Sequence, residues 1–289
     1  MRTTFRARQP YADILLACAN ESGPWTPCRP KRFIEKMRSN QGVLGFYNGM
    51  GLDSDGLERK NPVIATLGDS VTAGHFEFLL PNDPEKVQEY IRRSMAGEFE
   101  NGKRPPVEIT DARESYIEKF RGKLIDQFET TSVSVINGGI AGDDLRQMAA
   151  RMYRDVIRYQ PDLVLINGSL NWNDAMGTTA DYKEILVGMV SRIKHETDAD
   201  IILLTPNGDL PNNLFSDEEP KPLRTAERAQ AIREVAVEEN VCLADVYQIW
   251  ETARERGCPW EELLANGFSH PGVEGHEVYA IALMKLFEE

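Results

Sequence analysis

The 289-residue sequence is poor in the features that mark metal sites, disulfide frameworks and membrane spans. Its four cysteines, Cys18, Cys28, Cys242 and Cys258, form no CxxC pair, which argues against a zinc site or a disulfide framework and predicts buried thiols. No uninterrupted apolar run approaches the ~20 residues needed to cross a bilayer. The apolar patch near the N-terminus, interrupted by Asp13, is too short and too polar for a secretory leader. We therefore expect a cytoplasmic protein with no membrane partner.

The chain is also short of positive charge. It has 33 Lys and Arg against 46 Asp and Glu, a formal net charge of −13 at pH 7. Nucleic-acid binding needs Lys and Arg to neutralise phosphates, so this balance argues against a nucleic-acid partner, and solubility is the simpler explanation of the acidity. The 41% apolar content is enough for a substantial core. The length allows one large domain or two small ones.

From Val63 onward, short apolar runs alternate with longer amphipathic stretches. The predicted strands are Val63–Leu67, Ser134–Ile136, Leu163–Ile166, Ile201–Leu204 and Cys242–Ala244. The predicted helices are Tyr116–Phe128, Asp144–Tyr159, Asp181–His195, Thr225–Asn240 and a last one from about Glu274 to Phe287. This alternation predicts an α/β fold with a parallel sheet covered by helices on both faces.

Three segments do not fit the repeat. Residues 1–60 contain one candidate helix, Pro30–Ser39, and the Gly- and Asp-rich stretch GLDSDGLERKNP; we expect them to form an extension packed on a main domain of residues 61–289. Residues 77–112 are rich in charge and proline and could form an insertion beside the ligand-binding edge of the sheet. The stretch Asn207–Pro222 is a candidate substrate loop.

The stretch VIATLGDSVTAG, residues 63–74, ends a predicted buried strand in a tight turn that presents Ser70. Parallel sheets bind their ligands at the carboxyl ends of the strands, where this turn lies. Asp69 or Ser70 could instead simply cap the helix that follows. Whether Ser70 is a helix cap or a nucleophile depends on which residues elsewhere in the chain accompany it.

Two further polar turns follow the second and third predicted strands. In VINGGIAGDD, Asn137, Gly139 and Gly142 precede a helix, and such glycines let main-chain N–H groups face an anion. A phosphate-binding nest is the rival interpretation, but the stretch lacks the lysine of a P-loop and does not match G-x-G-x-x-G. In LVLINGSLNWNDAM, Asn171 and Asn173 offer amide donors for an oxyanion, although asparagine also often stabilises turns.

His270 is the best candidate for a general base among the four histidines. It lies in NGFSHPGVEGHEVYA, on a loop pinned by Pro271 just before the last predicted helix. His195 falls at a polar helix end, and the neighbours of His276 predict a surface or packing role. His75 could line a pocket but is too near Ser70 in sequence to reach back easily. An imidazole titrates near neutral pH, so it can accept a serine proton and return it to a leaving group.

Taken in this order, the four segments resemble the conserved blocks of the SGNH hydrolases, also called the GDSL esterase/lipase family. Gly68-Asp69-Ser70 matches the first block, Asn137 to Gly142 looks like the second, and His270 with its proline matches the last. The resemblance covers about Val63 to the C-terminus. It implies a flavodoxin-like, three-layer α/β/α sandwich with a central, mostly parallel five-stranded sheet, and a serine ester hydrolase that needs no metal or organic cofactor.

The resemblance also implies the roles of individual residues. Ser70 would be the nucleophile and His270 the base, while the amides of Ser70 and Gly139 and the side chain of Asn171 would hold the oxyanion. Asn171 is preferred to Asn173 for the third block. The expected reaction is hydrolysis of a small-molecule ester through an acyl-serine intermediate. We expect a short acyl group, such as acetyl on a carbohydrate.

Two departures from the family pattern keep alternatives open. Gly267 stands where an Asp is expected three residues before His270, so Asn266, a main-chain carbonyl or a more distant carboxylate would have to orient the imidazole. Losing this carboxylate costs a serine protease ~10⁴ in rate. The third block lacks its glycine and carries extra residues around Trp172. An acyltransferase, or a non-catalytic domain that binds carbohydrates or esters, remains an alternative, and the sequence does not indicate the oligomeric state.

Overall fold

Five parallel strands form the central sheet in the computed structural model of the chain, which describes residues 11–39, 61–78, 89–90, 92–93, 96–98, 108–129, 132–211 and 223–288. In chain order the strands are β1 (Val63–Gly68), β2 (His75–Phe78), β3 (Glu108–Thr110), β4 (Ser134–Gly139), β5 (Leu163–Asn167), β6 (Asp200–Leu204) and β7 (Cys242–Ala244). The sheet order is β4-β1-β5-β6-β7, the flavodoxin-like order, and every neighbouring pair is parallel. β2 and β3 form a separate antiparallel pair.

Helices cover both faces of this sheet. They are α1 (Ala12–Glu21), α2 (Lys31–Ser39), α3 (Ser70–Ala73), α4 (Tyr116–Phe128), α5 (Leu145–Asp155), α6 (Thr179–Glu196), α7 (Thr225–Glu238), α8 (Val246–Glu255) and α9 (Val273–Met284). Short 3₁₀ turns lie at Ala112–Glu114, Ile157–Tyr159 and Trp260–Glu262. The three-layer α/β/α architecture predicted from the sequence is confirmed.

The alternation of side chains along the strands divides the core into two halves. In β5, Leu163 and Leu165 pack into one apolar cluster, while Val164 and Ile166 pack into the other. The first cluster includes α4, α8 and α9, and the second includes α5, α6 and α7. Because both faces are buried, the strands read as continuous apolar runs, which is why the sequence predicts them well.

Residues 11–39, the described part of the predicted extension, pack against the main body. α1 contacts α8 and α9, and Phe33 of α2 is fully buried with its ring centroid 6.0 Å from that of Phe287. The Phe33 N–H donates to the Asp200 carboxylate at 2.9 Å, and Lys36 pairs with Asp162 at 2.8 Å. Since Asp162 and Asp200 lie at the amino ends of β5 and β6, this segment covers the edge of the sheet opposite to Ser70. A domain boundary at residue 60 stays a prediction, because residues 40–60 lie outside the described residues.

The other two predicted irregular segments are only partly described. Of residues 77–112, the two ends include β2 and β3, which form the small antiparallel pair beside α3. Of the candidate substrate loop, residues 212–222 lie outside the described part of the chain. Within the described residues, no helix is both long and apolar enough to span a membrane.

Candidate active site

Ser70 is the first residue of α3, a single helical turn that begins directly after β1. Asp69 is the N-cap of this turn, and its carboxylate accepts a hydrogen bond from the Val71 N–H at 2.9 Å. The Ser70 Oγ lies 2.9 Å from Nε2 of His270, and the two residues are only 7% and 9% exposed. The cap and the candidate nucleophile are therefore two adjacent residues, not rival interpretations of one residue.

Glycines allow α3 to pack tightly on the sheet. A Cβ atom at Gly68 would lie 1.9 Å from Oγ1 of Thr72, and one at Gly139 would lie 2.3 Å from the Ala73 nitrogen. The Thr72 hydroxyl in turn hydrogen-bonds to the Tyr116 hydroxyl at 2.9 Å. The position of Ser70 is thus fixed from below by strands β1 and β4 and from the side by α4.

Asn266 shapes the loop that carries His270. Its side-chain oxygen accepts hydrogen bonds from the N–H groups of Phe268, Ser269 and His270 at 3.1, 2.8 and 2.8 Å. Gly267, inside the turn, has φ +79°, which suits glycine. The Asn266 oxygen is therefore bound to the main chain, and the hypothesis that it orients the imidazole directly is wrong. Its amide holds the loop and not the ring.

Three of the four histidines gather at this site. The rings of His75 and His270 meet edge to face, with centroids 5.9 Å apart. Nδ1 of the fully buried His276 accepts a hydrogen bond from the Tyr116 N–H at 3.2 Å. Burial lowers the pKa of His276 to about 3, so this ring is neutral and belongs to the core. His75, which sequence distance made a weak candidate, is a direct neighbour of the proposed base.

Asp69 is a fully buried carboxyl directly before Ser70. Burial raises its pKa to about 6, while the Val71 N–H and the charge of His270 act in the opposite direction. Its carboxylate is kept in place by helix capping of α3. Asp69 is therefore a buried carboxyl with a structural role directly beside Ser70.

Gly139 is not positioned as an available oxyanion donor. Its N–H donates to the side-chain oxygen of Asn137 at 2.9 Å, and the Asn137 amide donates to the Thr72 carbonyl at 2.9 Å. The Asn137 side chain thus ties the end of β4 to α3 and occupies the Gly139 N–H. Gly142 has a different setting: it lies on an exposed turn with φ +81°, and nothing in the described residues accepts a hydrogen bond from its N–H.

The two candidate asparagines of the third strand end have different partners. The Asn171 side-chain amide donates to the Asp143 carbonyl at 3.0 Å, so it reaches the turn that contains Gly142. The Asn173 side chain is exposed, and its oxygen accepts from the Ala175 N–H at 3.0 Å within its own turn. The structure thus brings Asn171, and not Asn173, to the turn after β4.

Arg151 of α5 lies at the site but was not predicted from the sequence. Its guanidinium donates to the carbonyls of Gly68 at 2.9 Å and Gly138 at 2.5 Å, and pairs with Asp143 at 2.6 Å and Asp155 at 2.7 Å. It is only 8% exposed. One side chain therefore joins the strand end before Ser70 to the turn after β4. Its signal in the sequence is a charged residue inside the apolar stripe of a helix.

The sequence and fold are similar to those of a known family of hydrolases. A family model described as the GDSL-like lipase/acylhydrolase family matches residues 66–278, well over half of the chain. The chain belongs to this family. As a GDSL-like acylhydrolase it is a carboxylic ester hydrolase, and the matched region includes the Ser70 turn, the turn after β4 and His270. No group of three or more His, Cys, Asp or Glu side chains that could hold a metal ion occurs in the described part of this hydrolase.

Known proteins similar to this GDSL-like hydrolase include esterases. An acetylxylan esterase from Geobacillus stearothermophilus is 24% identical over 186 residues, covering 59% of this chain and 79% of the relative. A crystal structure of an acetylxylan esterase from the same organism has a TM-score of 0.53 and 21% identity, over 79% of this chain and 95% of that one. An α/β hydrolase from the metagenome of Lake Arreo, Spain, has a TM-score of 0.55 and 22% identity, over 78% and 94% of the two chains. These structures share the fold.

Proposed function

We propose that this enzyme hydrolyses small esters with short acyl groups, such as acetyl, through an acyl-serine intermediate on Ser70. The observation that carries the proposal is the 2.9 Å contact between the Ser70 Oγ and Nε2 of His270, at the carboxyl end of the parallel sheet. A hydroxyl and an imidazole within hydrogen-bond reach form the nucleophile and base of an acyl-transfer site.

The proposed reaction uses Ser70, His270 and Asp69. His270 takes the Ser70 proton as Oγ attacks the ester carbonyl, and it returns that proton to the leaving alcohol when the tetrahedral intermediate collapses. A water molecule then attacks the acyl-serine with His270 again as base, which releases the acid and the free serine. The buried charge of Asp69 stabilises the imidazolium that forms in both halves of the cycle. In the family pattern an Asp at position 267 would do this, but this chain has Gly267 there.

The oxyanion donors we propose are the Ser70 N–H, the Gly142 N–H and the Asn171 side chain. Gly142 replaces Gly139 because the Gly139 N–H already binds Asn137, whereas Gly142 lies on the turn whose Asp143 carbonyl the Asn171 amide contacts. When a substrate carbonyl arrives, the Asn171 amide exchanges the Asp143 carbonyl for the oxyanion. Removing a donor of this kind elsewhere costs roughly 10²–10³ in kcat.

The acyl group is proposed from the similarity to acetylxylan esterase. The identity is only 24%, so the similarity supports acetyl esters and an acetylated carbohydrate as the class of substrate to test first. The extra residues around Trp172, which is buried against Tyr182, reshape the third block next to the site. We expect this change to affect the acyl preference.

The deciding experiment compares wild type with Ser70→Ala on p-nitrophenyl acetate, butyrate and octanoate. We expect the wild type to prefer acetate and Ser70→Ala to lose at least about 10³-fold in kcat. Asn173→Ala, at an exposed turn residue, is the matched control and should retain wild-type rates. Equal, slow release of nitrophenol by wild type and Ser70→Ala would favour the non-catalytic binding domain. Transfer of acetyl to an added sugar in preference to water would favour the acyltransferase.

A further inference from the structure

Two of the four cysteines meet across the junction between the N-terminal segment and the sheet. Cys28 lies between α1 and α2, and Cys242 is the first residue of β7, 214 positions later. Their Sγ atoms are 2.6 Å apart. Unbonded heavy atoms pack at about 3.5 Å or more, whereas a disulfide bond is about 2.05 Å long. The two sulfurs are therefore much closer than a packing contact requires.

Independent contacts on both sides of the pair fix this approach. On the N-terminal side, Arg29 donates to the Leu286 carbonyl at 3.2 Å and the Phe33 N–H donates to Asp200 at 2.9 Å. On the other side, Cys242 is part of the parallel pairing between β6 and β7. The backbones that carry the two thiols are thus held by bonds that do not involve sulfur, so the thiols need no large movement to react.

We propose that Cys28 and Cys242 form a disulfide that fastens the N-terminal segment, residues 11–39, to the edge strand β7. The pairing does not depend on the proposed esterase activity. It gives the segment, which lies outside the matched family region, a covalent attachment to the hydrolase fold. A cross-link that closes a loop of this length stabilises the folded chain chiefly by restricting the unfolded one.

The chemistry requires an oxidant, for which we name a small-molecule disulfide such as oxidised glutathione. Cys28 is partly exposed while Cys242 is buried, so Cys28 is the attacking thiol. A hydrogen bond from Cys242 lowers the pKa of Cys28, which favours its thiolate. The Cys28 thiolate displaces one glutathione thiolate and forms a mixed disulfide. Cys242 then loses its proton and displaces the second, so two protein thiols are oxidised and one glutathione disulfide is reduced to two thiols.

The test is peptide mapping of the full chain without reduction, after treatment with oxidised glutathione and blocking of the remaining thiols. We expect the tryptic peptide with Cys242 to be joined to the peptide with Cys28, and two of the four thiols to be blocked. Trypsin leaves Cys18 on the same peptide as Cys28. Cys18→Ser should therefore keep the cross-link and Cys28→Ser should lose it.

A thermal melt adds a second readout. Reduction should lower the Tm of the oxidised wild type by several degrees and leave the Tm of Cys28→Ser unchanged. Blocking of all four thiols after oxidation, a cross-link that joins Cys242 to Cys18, or a link only between chains would each overturn the proposal. Esterase activity is not the readout, so failure of this proposal and failure of the proposed function are distinguishable.

Discussion

At the scale of single residues, the site depends on side chains that hold the main chain. Asp69 caps α3 so that Ser70 begins the helix with its hydroxyl toward His270, and Asn266 gathers three N–H groups so that His270 faces Ser70. Two short segments two hundred positions apart are thereby each shaped by hydrogen bonds of their own. In the proposed reaction the hydroxyl and the imidazole would need little reorganisation, and such positioning contributes to rate.

Asn266 offers a direct test of this view. In Asn266→Ala, three N–H groups lose their common acceptor, so the loop that holds His270 relaxes. We expect kcat to fall about 10- to 100-fold with little change in KM, since a small displacement of a catalytic group has costs of this size. Steady-state kinetics on p-nitrophenyl acetate, with a urea melt of each variant, measure the effect.

Asn266→Asp is the matched control for this prediction. A carboxylate oxygen accepts the same three N–H hydrogen bonds, so the variant should keep most of the wild-type kcat. If Asn266→Ala were as active as wild type, the side-chain oxygen would not hold the loop. If Asn266→Asp were as inactive as Asn266→Ala, the important group would instead be the side-chain NH₂, which donates to the Ser269 hydroxyl of the same loop at 3.2 Å.

At the scale of secondary-structure elements, the site is the junction of β1, β4 and α5, and Arg151 joins them. Its guanidinium bridges the Gly68 and Gly138 carbonyls and the Asp143 carboxylate. The first carbonyl lies two residues before Ser70, and Asp143 follows the proposed donor Gly142. We propose that Arg151 sets the separation between Ser70 and the turn after β4, and that it acts as a positioning residue.

Arg151→Lys should separate this role from charge alone. A single ammonium group keeps the charge but cannot reach both carbonyls and the carboxylate in the fixed fork geometry of arginine. We expect kcat to fall about 10²-fold with KM nearly unchanged. Added guanidinium should restore part of the activity of Arg151→Ala. Asp155→Asn, which removes only the charge of the Arg151 partner on α5 itself, is the control. A wild-type kcat in Arg151→Lys would contradict the positioning role.

The elements themselves show what a sequence does and does not predict. The five predicted sheet strands were all found, and α4 has the predicted bounds Tyr116–Phe128. Buried strands and amphipathic helices carry their own local patterns, so they can be recognised without knowing their partners. Helix α8 was not predicted, because only Asp245 separates it from β7 and the apolar pattern runs on without a turn signal. The pairing of β2 with β3 was not predicted either, because it joins segments far apart in the chain.

The site was predictable to the same extent. The meeting of Ser70 and His270 followed from motifs in a characteristic order, each placed beside a predicted strand or helix. Arg151 could not be found in this way because its partners at Gly68 and Gly138 are main-chain carbonyls, which every residue has. The hydrogen bond from the Gly139 N–H to the Asn137 side chain could not be predicted either, because it depends on how the chain folds around β4.

At the scale of the whole molecule, the carboxyl ends and the amino ends of the sheet strands carry different features. The carboxyl edge holds Ser70, His270 and the proposed oxyanion donors, while the amino edge is covered by residues 11–39 and holds Cys28 beside Cys242. The proposed disulfide bears on location, because disulfides persist in oxidising compartments. A cytoplasmic location, as expected from the sequence, corresponds to the thiol form of the pair. The state of Cys28 in cells therefore tests that expectation.

Buried titratable groups change the stability of the whole molecule with pH in opposite directions. Burial raises the pKa of Asp69 and of Asp209 to about 6, so the folded chain keeps protons that the unfolded chain releases from about pH 4. These two carboxyls lower stability as pH rises from about 4 to 6. His276 acts in the opposite direction, because burial lowers its pKa to about 3.

The lowered pKa of His276 predicts a measurable difference in stability between wild type and a variant. Below about pH 6.5 the unfolded chain protonates this histidine, whereas the folded chain does so only near pH 3, so its contribution to stability is complete above pH 6.5 and is lost as pH falls. The loss is about 1.4 kcal/mol per pH unit. His276→Asn cannot titrate, so the gap in stability between wild type and this variant should shift in favour of the variant as the pH falls from 7 to 4. Urea unfolding across this range measures the gap, and His195→Asn, at the exposed end of α6, is the control. Parallel curves for wild type and His276→Asn would show that His276 does not set the acid stability of the fold.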